Sequence, residues 1–207
     1  RCVRMMDMND QVEARLAKLQ RIRELGFDPY PHKFAVDVDS ESLRQRRAEL
    51  DGKGIEVRWA GRVLRYNRKG KMCFMHLKDR AGRLQVVAMA GAVSEKEYEL
   101  VKLIDIGDWI GVRGVLFTTQ AGEYSLKAHE IVLLSKAVRP LPTPKEKVDE
   151  HGNKIVFDEF RDVETRYRHR YLDLTLNDEV REVFRKRSRI IQAIRAYLLE
   201  HGYMEVE

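Results

Sequence analysis

The stretch MCFMHLKDRAGRLQVVAMA, Met72–Ala90, decides how this chain is read. Over Met72–Asp79, Cys73, Met75 and Leu77 fall on one side of a period-two pattern and Met72, Phe74 and His76 on the other, which predicts a half-buried β-strand. Over Arg83–Ala90, Leu84, Val86 and Ala88 alternate with Arg83, Gln85 and Val87 in the same way. Arg80-Ala81-Gly82 between them makes a tight turn, so the stretch reads as a hairpin. The smaller apolar sets suit an interior, which leaves Phe74, His76, Arg83 and Gln85 facing outward.

The period of two continues on both sides. Ile55, Val57, Trp59, Gly61 and Val63 alternate with Glu56, Arg58, Ala60, Arg62 and Leu64, predicting a first strand whose Arg62 flanks the outer face. Tyr66–Lys71 predicts a basic turn. Ser94-Glu95-Lys96-Glu97 is a capping box that opens a helix through about Leu103. Strands are predicted over Asp108–Phe117 and Tyr124–Leu134, joined by the glycine-containing turn Thr118–Glu123. Five strands with a helix between the third and fourth is the order of an OB-fold. The fold class expected is mainly β with α: a five-stranded OB-fold β-barrel preceded by an N-terminal helix.

That helix is read over Asn9 or Asp10 to Leu25, from Val12, Leu16, Leu19, Ile22 and Leu25, and Gly26 ends it. Arg15, Lys18, Arg21 and Arg23 form its basic face, either solvated or in contact with RNA backbone. A short polar helix is predicted around Ser40–Leu50, ahead of an Asp51–Gly54 turn. Downstream, Arg139–Arg161 reads as a linker with a turn at Asp149–Asn153. Asn177 is placed to cap a long helix with the apolar stripe Val180, Phe184, Ile191, Ile194 and Leu198, closed by Gly202. Tyr203–Glu207 alternates as the start of a strand.

Composition bounds the function. With 207 residues, 43% hydrophobic and 35% charged, the chain has room for one to two globular domains at roughly 150 residues each. No apolar run approaches the ~20 residues of a membrane span, and no charged-then-apolar leader opens the chain. The first residue is Arg1, so the start is expected at Met5, Met6 or Met8, or upstream. Cys2 and Cys73 form no CxxC pair, which points to a reducing, cytoplasmic setting without a disulfide framework. The six histidines lack ligand spacing, so no metal site is expected. The net charge of +6 and isoelectric point of about 9.3 suit either a basic surface or nucleic acid.

The outer face separates those two. An aromatic ring among amide and basic groups on a sheet is what single-stranded nucleic acid requires: a base stacks on the ring, amides read its edge and cations hold phosphates. Phe74, Gln85 and Arg62 supply these groups. Asn67, Arg68, Lys69, Lys71 and Glu123 lie in the turns after the first and fourth strands, where OB-folds bind oligonucleotides. The competing reading is a surface Phe packed under a loop. No nucleophile elbow, carboxylate pair or phosphate loop is present, so no catalytic residue is expected in this chain.

One further string carries a resemblance. RYRHRYLDL, Arg166–Leu174, resembles the RYRQRYLDL block that joins the OB domain to the catalytic domain in class II lysyl-tRNA synthetases. Arg139-Pro140-Leu141-Pro142, Asn177–Arg181, Phe184, Arg187-Ser188 and Met204–Glu207 accompany it, and Arg21–Gly26 with Asp28–Pro31 resembles the family's opening. His169 stands where the family has Gln, and the linker at 143–160 is longer than in many relatives. Aspartyl- and asparaginyl-type enzymes share the OB-fold and a similar block. The lysine reading rests on the N-terminal segment, Arg166-Tyr167-Arg168, Phe184–Ser188 and Phe117–Ser125.

The resemblance implies that Phe74 stacks on the central anticodon uridine, that Gln85 and Arg62 read or hold it, and that Glu123 contacts a flanking base. Arg68, Lys69, Lys71, Arg83 and His76 are then expected to touch RNA backbone. It also implies tRNA(Lys) as partner, a homodimer through the long helix, and ATP with Mg2+ as cofactors of a full-length enzyme whose active site lies beyond Glu207. The fold it implies is the barrel preceded by an N-terminal helix and followed by the first helix of a class II synthetase α/β catalytic domain, with an N-terminal helical extension (1–54), the OB-fold (55–138), a linker (139–165) and the start of a catalytic domain (166–207). The alternatives are a free-standing OB-fold protein that binds single strands and a structural or dimerisation module.

Overall fold

The computed structural model describes residues 8–142, 145–148, 154–157, 160 and 162–206. The chain divides into two units, Arg1–Pro140 and Leu141–Glu207.

In the first unit, helices α1 (Met8–Glu24), α2 (Ser40–Gln45) and α3 (Arg47–Leu50) precede the strands β1 (Glu56–Lys69), β2 (Met72–Lys78) and β3 (Arg83–Met89). Helix α4 (Glu95–Leu103) then leads to β4 (Trp109–Thr118) and β5 (Tyr124–Ser135). The strand order is β1-β2-β3-β5-β4. The first half of β1 pairs with β4 and the second half with β2. Trp59, Met75, Leu77, Val86, Ile110, Leu116 and Leu126 are fully buried between the strands, so the inward residues of the period-two pattern do form the core.

The expected fold class needs correction. A five-stranded OB-fold β-barrel preceded by an N-terminal helix and followed by the first helix of a catalytic domain does not describe the chain: α1–α3 precede the strands, α4 lies between β3 and β4, and α5–α7 follow. The first unit is a mixed five-stranded sheet with flanking helices. The crossover through α4 and β4 brings β5 alongside β3 in parallel, over only Gln85–Val87 against Ser125–Lys127, and parallel neighbours require such a crossover. Strand β1 is also longer than its alternation indicated. A bulge between Val63 and Arg65 inserts one residue, resets the alternation and carries the strand to Lys69. The predicted Tyr66–Lys71 turn shrinks to Gly70-Lys71.

Helix α4 has the predicted box: Glu97 N donates to Ser94 Oγ (3.2 Å) and Ser94 N to Glu97 Oε2 (2.9 Å). Its Glu97 Oε1 also accepts from Ile131 N of β5 (3.1 Å), so the cap anchors the helix to the sheet. On α1, Leu19 and Ile22 are buried but Leu16 is exposed. The basic face of α1 is partly internal. Arg15 donates to the carbonyls of Ala137 (2.8 Å) and Ile106 (3.0 Å), and Lys18 pairs with Asp105 (2.5 Å).

Behind that contact, the buried Lys136 ammonium reaches Leu103 O (2.9 Å), Asp105 Oδ2 (2.6 Å) and Asp108 Oδ2 (2.7 Å). Burial pushes the Asp108 carboxyl upward against the pull of Lys136. For Asp105 burial also raises the pKa, but Lys136 and Lys18 together bring it below the usual carboxylate range.

In the second unit, β6 (Lys145–Val148) and β7 (Lys154–Phe157) form a two-stranded sheet within the stretch read as a linker. The Asp149–Asn153 turn lies outside the described residues, as do Cys2, Met5 and Met6. Helices α5 (Val163–Arg168), α6 (Arg170–Leu176) and α7 (Asp178–Glu200) follow. Asp173 is buried and accepts from Arg166 Nε (2.9 Å), Arg170 Nη1 (2.6 Å) and Asn177 Nδ2 (2.7 Å). Asn177 therefore does not cap α7 with its side chain, because its amide is drawn to Asp173. Tyr203–Val206 forms no strand, and within the described residues it has no neighbouring strand to pair with.

The Lys136 cluster yields a stability prediction. Lys136→Met leaves Asp108 buried without its cation, so the unfolding free energy drops by about 3–5 kcal/mol, measurable by urea unfolding followed by circular dichroism.

Candidate nucleic-acid interface

The outer face is set out by the cross-strand pairs, whose side chains share a side of the sheet. Phe74 lies between Asn67 and Val87, His76 between Arg65 and Gln85, and Lys78 between Arg62 and Arg83. Phe74 and His76 are half-buried, Asn67 and Arg65 exposed. Phe74, His76 and Gln85 thus come together as predicted from alternation. Arg62 lies on the same side at the far end of the face, opposite Lys78. It sits four residues along the ladder from Phe74, about 14 Å at ~3.4 Å per residue, and its guanidinium lies over the Trp109 ring at 5.3 Å, where burial pushes its pKa down.

The β-bulge brings in residues that alternation missed. It returns Tyr66 to the interior, opposite Met75, and puts Arg65, Asn67 and Lys69 on the side of Phe74. Arg68 pairs with Cys73 and so belongs to the opposite side. A periodicity count cannot register one inserted residue, and the sequence carried no other signal for Arg65.

Glu123 is held at the start of β5 by its turn. Its N donates to Thr119 Oγ1 (3.0 Å) and its carbonyl accepts from Thr119 N (2.9 Å). The carboxylate accepts from Gln85 Nε2 (2.7 Å) and lies 2.9 Å from His76 Nε2. Ser125 Oγ donates to Gln85 Oε1 (2.8 Å), so the buried amide is oriented at both ends. A carboxylate has about four lone-pair sites. Two are engaged, and the rest can accept N–H groups from a base edge. The network forms within the chain itself, before any ligand arrives.

These groups line a cleft of about 450 Å³ that also takes in Arg44 and Arg47, with Arg83 and Tyr124. The two helix arginines were not foreseen, because nothing in the Ser40–Leu50 pattern says which way that segment turns. Asp79, in the β2–β3 turn, decides it. Its carboxylate accepts from Ser40 N (2.7 Å), Ser40 Oγ (2.7 Å), Trp59 Nε1 (2.8 Å), Ala81 N (2.7 Å) and Gly82 N (2.8 Å). Gly82 permits the approach, since a Cβ there would meet Ser40 Oγ at 3.1 Å and Arg44 Nη1 at 3.2 Å. Burial alone would raise the Asp79 pKa, but donors from Ser40, Trp59 and Gly82 bring it below the ordinary value. Among the described residues, no group of three or more His, Cys, Asp or Glu side chains is placed to hold a metal ion.

Comparison with known proteins finds matches for both parts of the chain. Residues 57–134 match the family described as OB-fold nucleic acid binding domain, and residues 162–207 match tRNA synthetases class II (D, K and N). The chain is 42% identical over 206 residues to the lysine–tRNA ligase of Bacillus subtilis, covering 97% of this chain and 39% of the relative. It is 45% identical over 199 residues to that of Moorella thermoacetica, covering 96% and 38%, and 41% identical over 207 residues to that of Halalkalibacterium halodurans, covering 98% and 39%. The chain spans about two fifths of the length of these relatives. It carries an OB-fold anticodon domain and the start of a class II catalytic domain, and over nearly its whole length it matches lysyl-tRNA synthetases.

The Asp79 hub sets a further test. Asp79→Ala strands the Ser40 and Trp59 donors, and the unfolding free energy is expected to fall by roughly 3 kcal/mol. Because the folded carboxyl titrates below its unfolded value, its contribution is present above about pH 4 and is lost as pH falls through the folded pKa. Urea unfolding between pH 7 and pH 2.5 should therefore show a shallower acid limb in Asp79→Asn than in the wild type.

Proposed function

We propose that the sheet face around Phe74 binds the anticodon loop of tRNA(Lys), with the Phe74 ring stacking on the central base and Gln85 and Glu123 reading base edges. The observation that carries this reading is the half-buried Phe74 ring beside a pre-oriented Gln85–Glu123–His76 network, within the segment that matches OB-fold nucleic acid binding domains. Exposed Arg65, Lys69, Lys71 and Arg83 supply phosphate contacts, with Arg62 at the Arg83 end of the face and Arg68 on the opposite side of β1.

In the whole protein this unit serves a lysine–tRNA ligase, which activates lysine with ATP and Mg2+ and transfers it to tRNA(Lys). The described side chains do not form a magnesium site, so the chemistry of activation is assigned to none of them. Helix α7 exposes Val183, Ile190, Ile194 and Tyr197 along one face, and we assign this apolar surface to a homodimer in the whole protein. Among the described residues no helix is long and apolar enough to cross a membrane. A cytoplasmic location is part of the proposal.

Titration of a fluorescent tRNA(Lys) anticodon stem-loop, with an aspartate-type loop as competitor, tests the reading. The chain is expected to prefer the lysine loop, and Phe74→Ala to weaken binding by ~1–3 kcal/mol. Equal affinity of wild type and Phe74→Ala, or indifference to the loop sequence, would refute it.

A further inference from the structure

We infer that α2 and α3 form a second wall of the RNA site, with Arg44 and Arg47 seating a backbone phosphate beside the base read at Glu123. The inference rests on the proposed anticodon reading and extends it to a segment outside the five strands. Arg44 and Arg47 are exposed, and they line the same cleft of about 450 Å³ as His76, Gln85 and Glu123.

Both arginines are pre-positioned. Arg44 donates to the Arg83 carbonyl. Arg47 donates to Thr118 Oγ1 (2.9 Å), lies 3.6 Å from Asp51, and has its guanidinium 4.9 Å from the Tyr124 ring centroid. A guanidinium has five N–H donors, so each retains donors after these contacts, and the fork geometry suits phosphate oxygens.

The charges give the cleft a polarity. Glu123 carries a carboxylate that accepts N–H groups and repels phosphate, while Arg44, Arg47 and Arg83 attract it. A nucleotide in the cleft is therefore oriented with its base edge toward Glu123 and its phosphate toward α2 and α3. The arginines act on affinity whatever the sequence, because phosphate contacts position a ligand and base contacts specify it.

Stem-loop titration with the full chain across a salt series tests the inference, using Arg44→Gln, Arg47→Gln and the double variant, with Phe74→Ala alongside. Each single substitution should weaken lysine and aspartate loops by the same factor. Each should also reduce the slope of log affinity against log salt by about 0.7, the value for one lost contact to a single strand. Because Arg47 also contacts Thr118 and Asp51, Arg47→Lys serves as a check. It keeps the charge, so the wild-type salt slope should return. If Phe74→Ala weakens binding while the arginine variants keep the wild-type affinity and slope, the second wall is refuted and the anticodon reading stands. If the wild type binds neither loop, both fall.

Discussion

The carboxylate of Asp79 is the constraint on which the arrangement of the first unit depends. It sits in a hairpin turn yet gathers donors from three places: the turn itself, the Trp59 indole of β1 and the first residue of α2. Polar groups removed from water must find partners, and here one acceptor satisfies a buried indole N–H and a helix start together. The path of the chain between α1 and β1 is fixed as a result. Helix α2 is brought against the hairpin, and Arg44 over the Arg83 carbonyl. The cleft that contains Glu123 exists because of that docking.

The face itself combines two kinds of surface with different physics. Around Phe74 the sheet offers an aromatic ring between Asn67 and Val87, a surface tolerant of any base because every base has a π-face. Around Glu123 it offers a closed network in which Ser125 orients Gln85, and Gln85 and His76 orient the carboxylate. Hydrogen-bonding groups fixed in advance lose little freedom on binding, so the proposed anticodon reading gives discrimination to the second surface and stacking to the first. Lys136, with Asp105 and Asp108, lies away from both and ties α1 to the end of β5.

Much of this was legible before any coordinates. Cys73, Met75, Leu77, Val86 and Ala88 are buried as the alternation required, since a strand with one covered face must place every second residue inside. The capping box at Ser94 was equally readable, because both of its hydrogen bonds are local. The misses share one physical character: they depend on partners distant in sequence or on a single inserted residue. The bulge after Val63 moved Arg65 and Asn67 onto the Phe74 face. The Arg62 guanidinium lies over the Trp109 ring, and Arg15 and Lys18 turned inward to carbonyls and a carboxylate about ninety or more positions away. Asn177 is the exception, a local one: it has the residue type for a cap, but Asp173 four residues earlier takes its amide.

The sequence by itself determined the order of the five strands and α4, the inward set on the central hairpin, and the resemblance to lysyl-tRNA synthetases, because periodicity and motifs are properties of neighbours along the chain. Tertiary structure alone decided which cations meet the outward face. That outcome depends on a parallel β3–β5 contact of three residues, a bulge in β1 and a turn carboxylate that pulls α2 into place. Each is an interaction between groups whose separation in sequence says nothing about their separation in space.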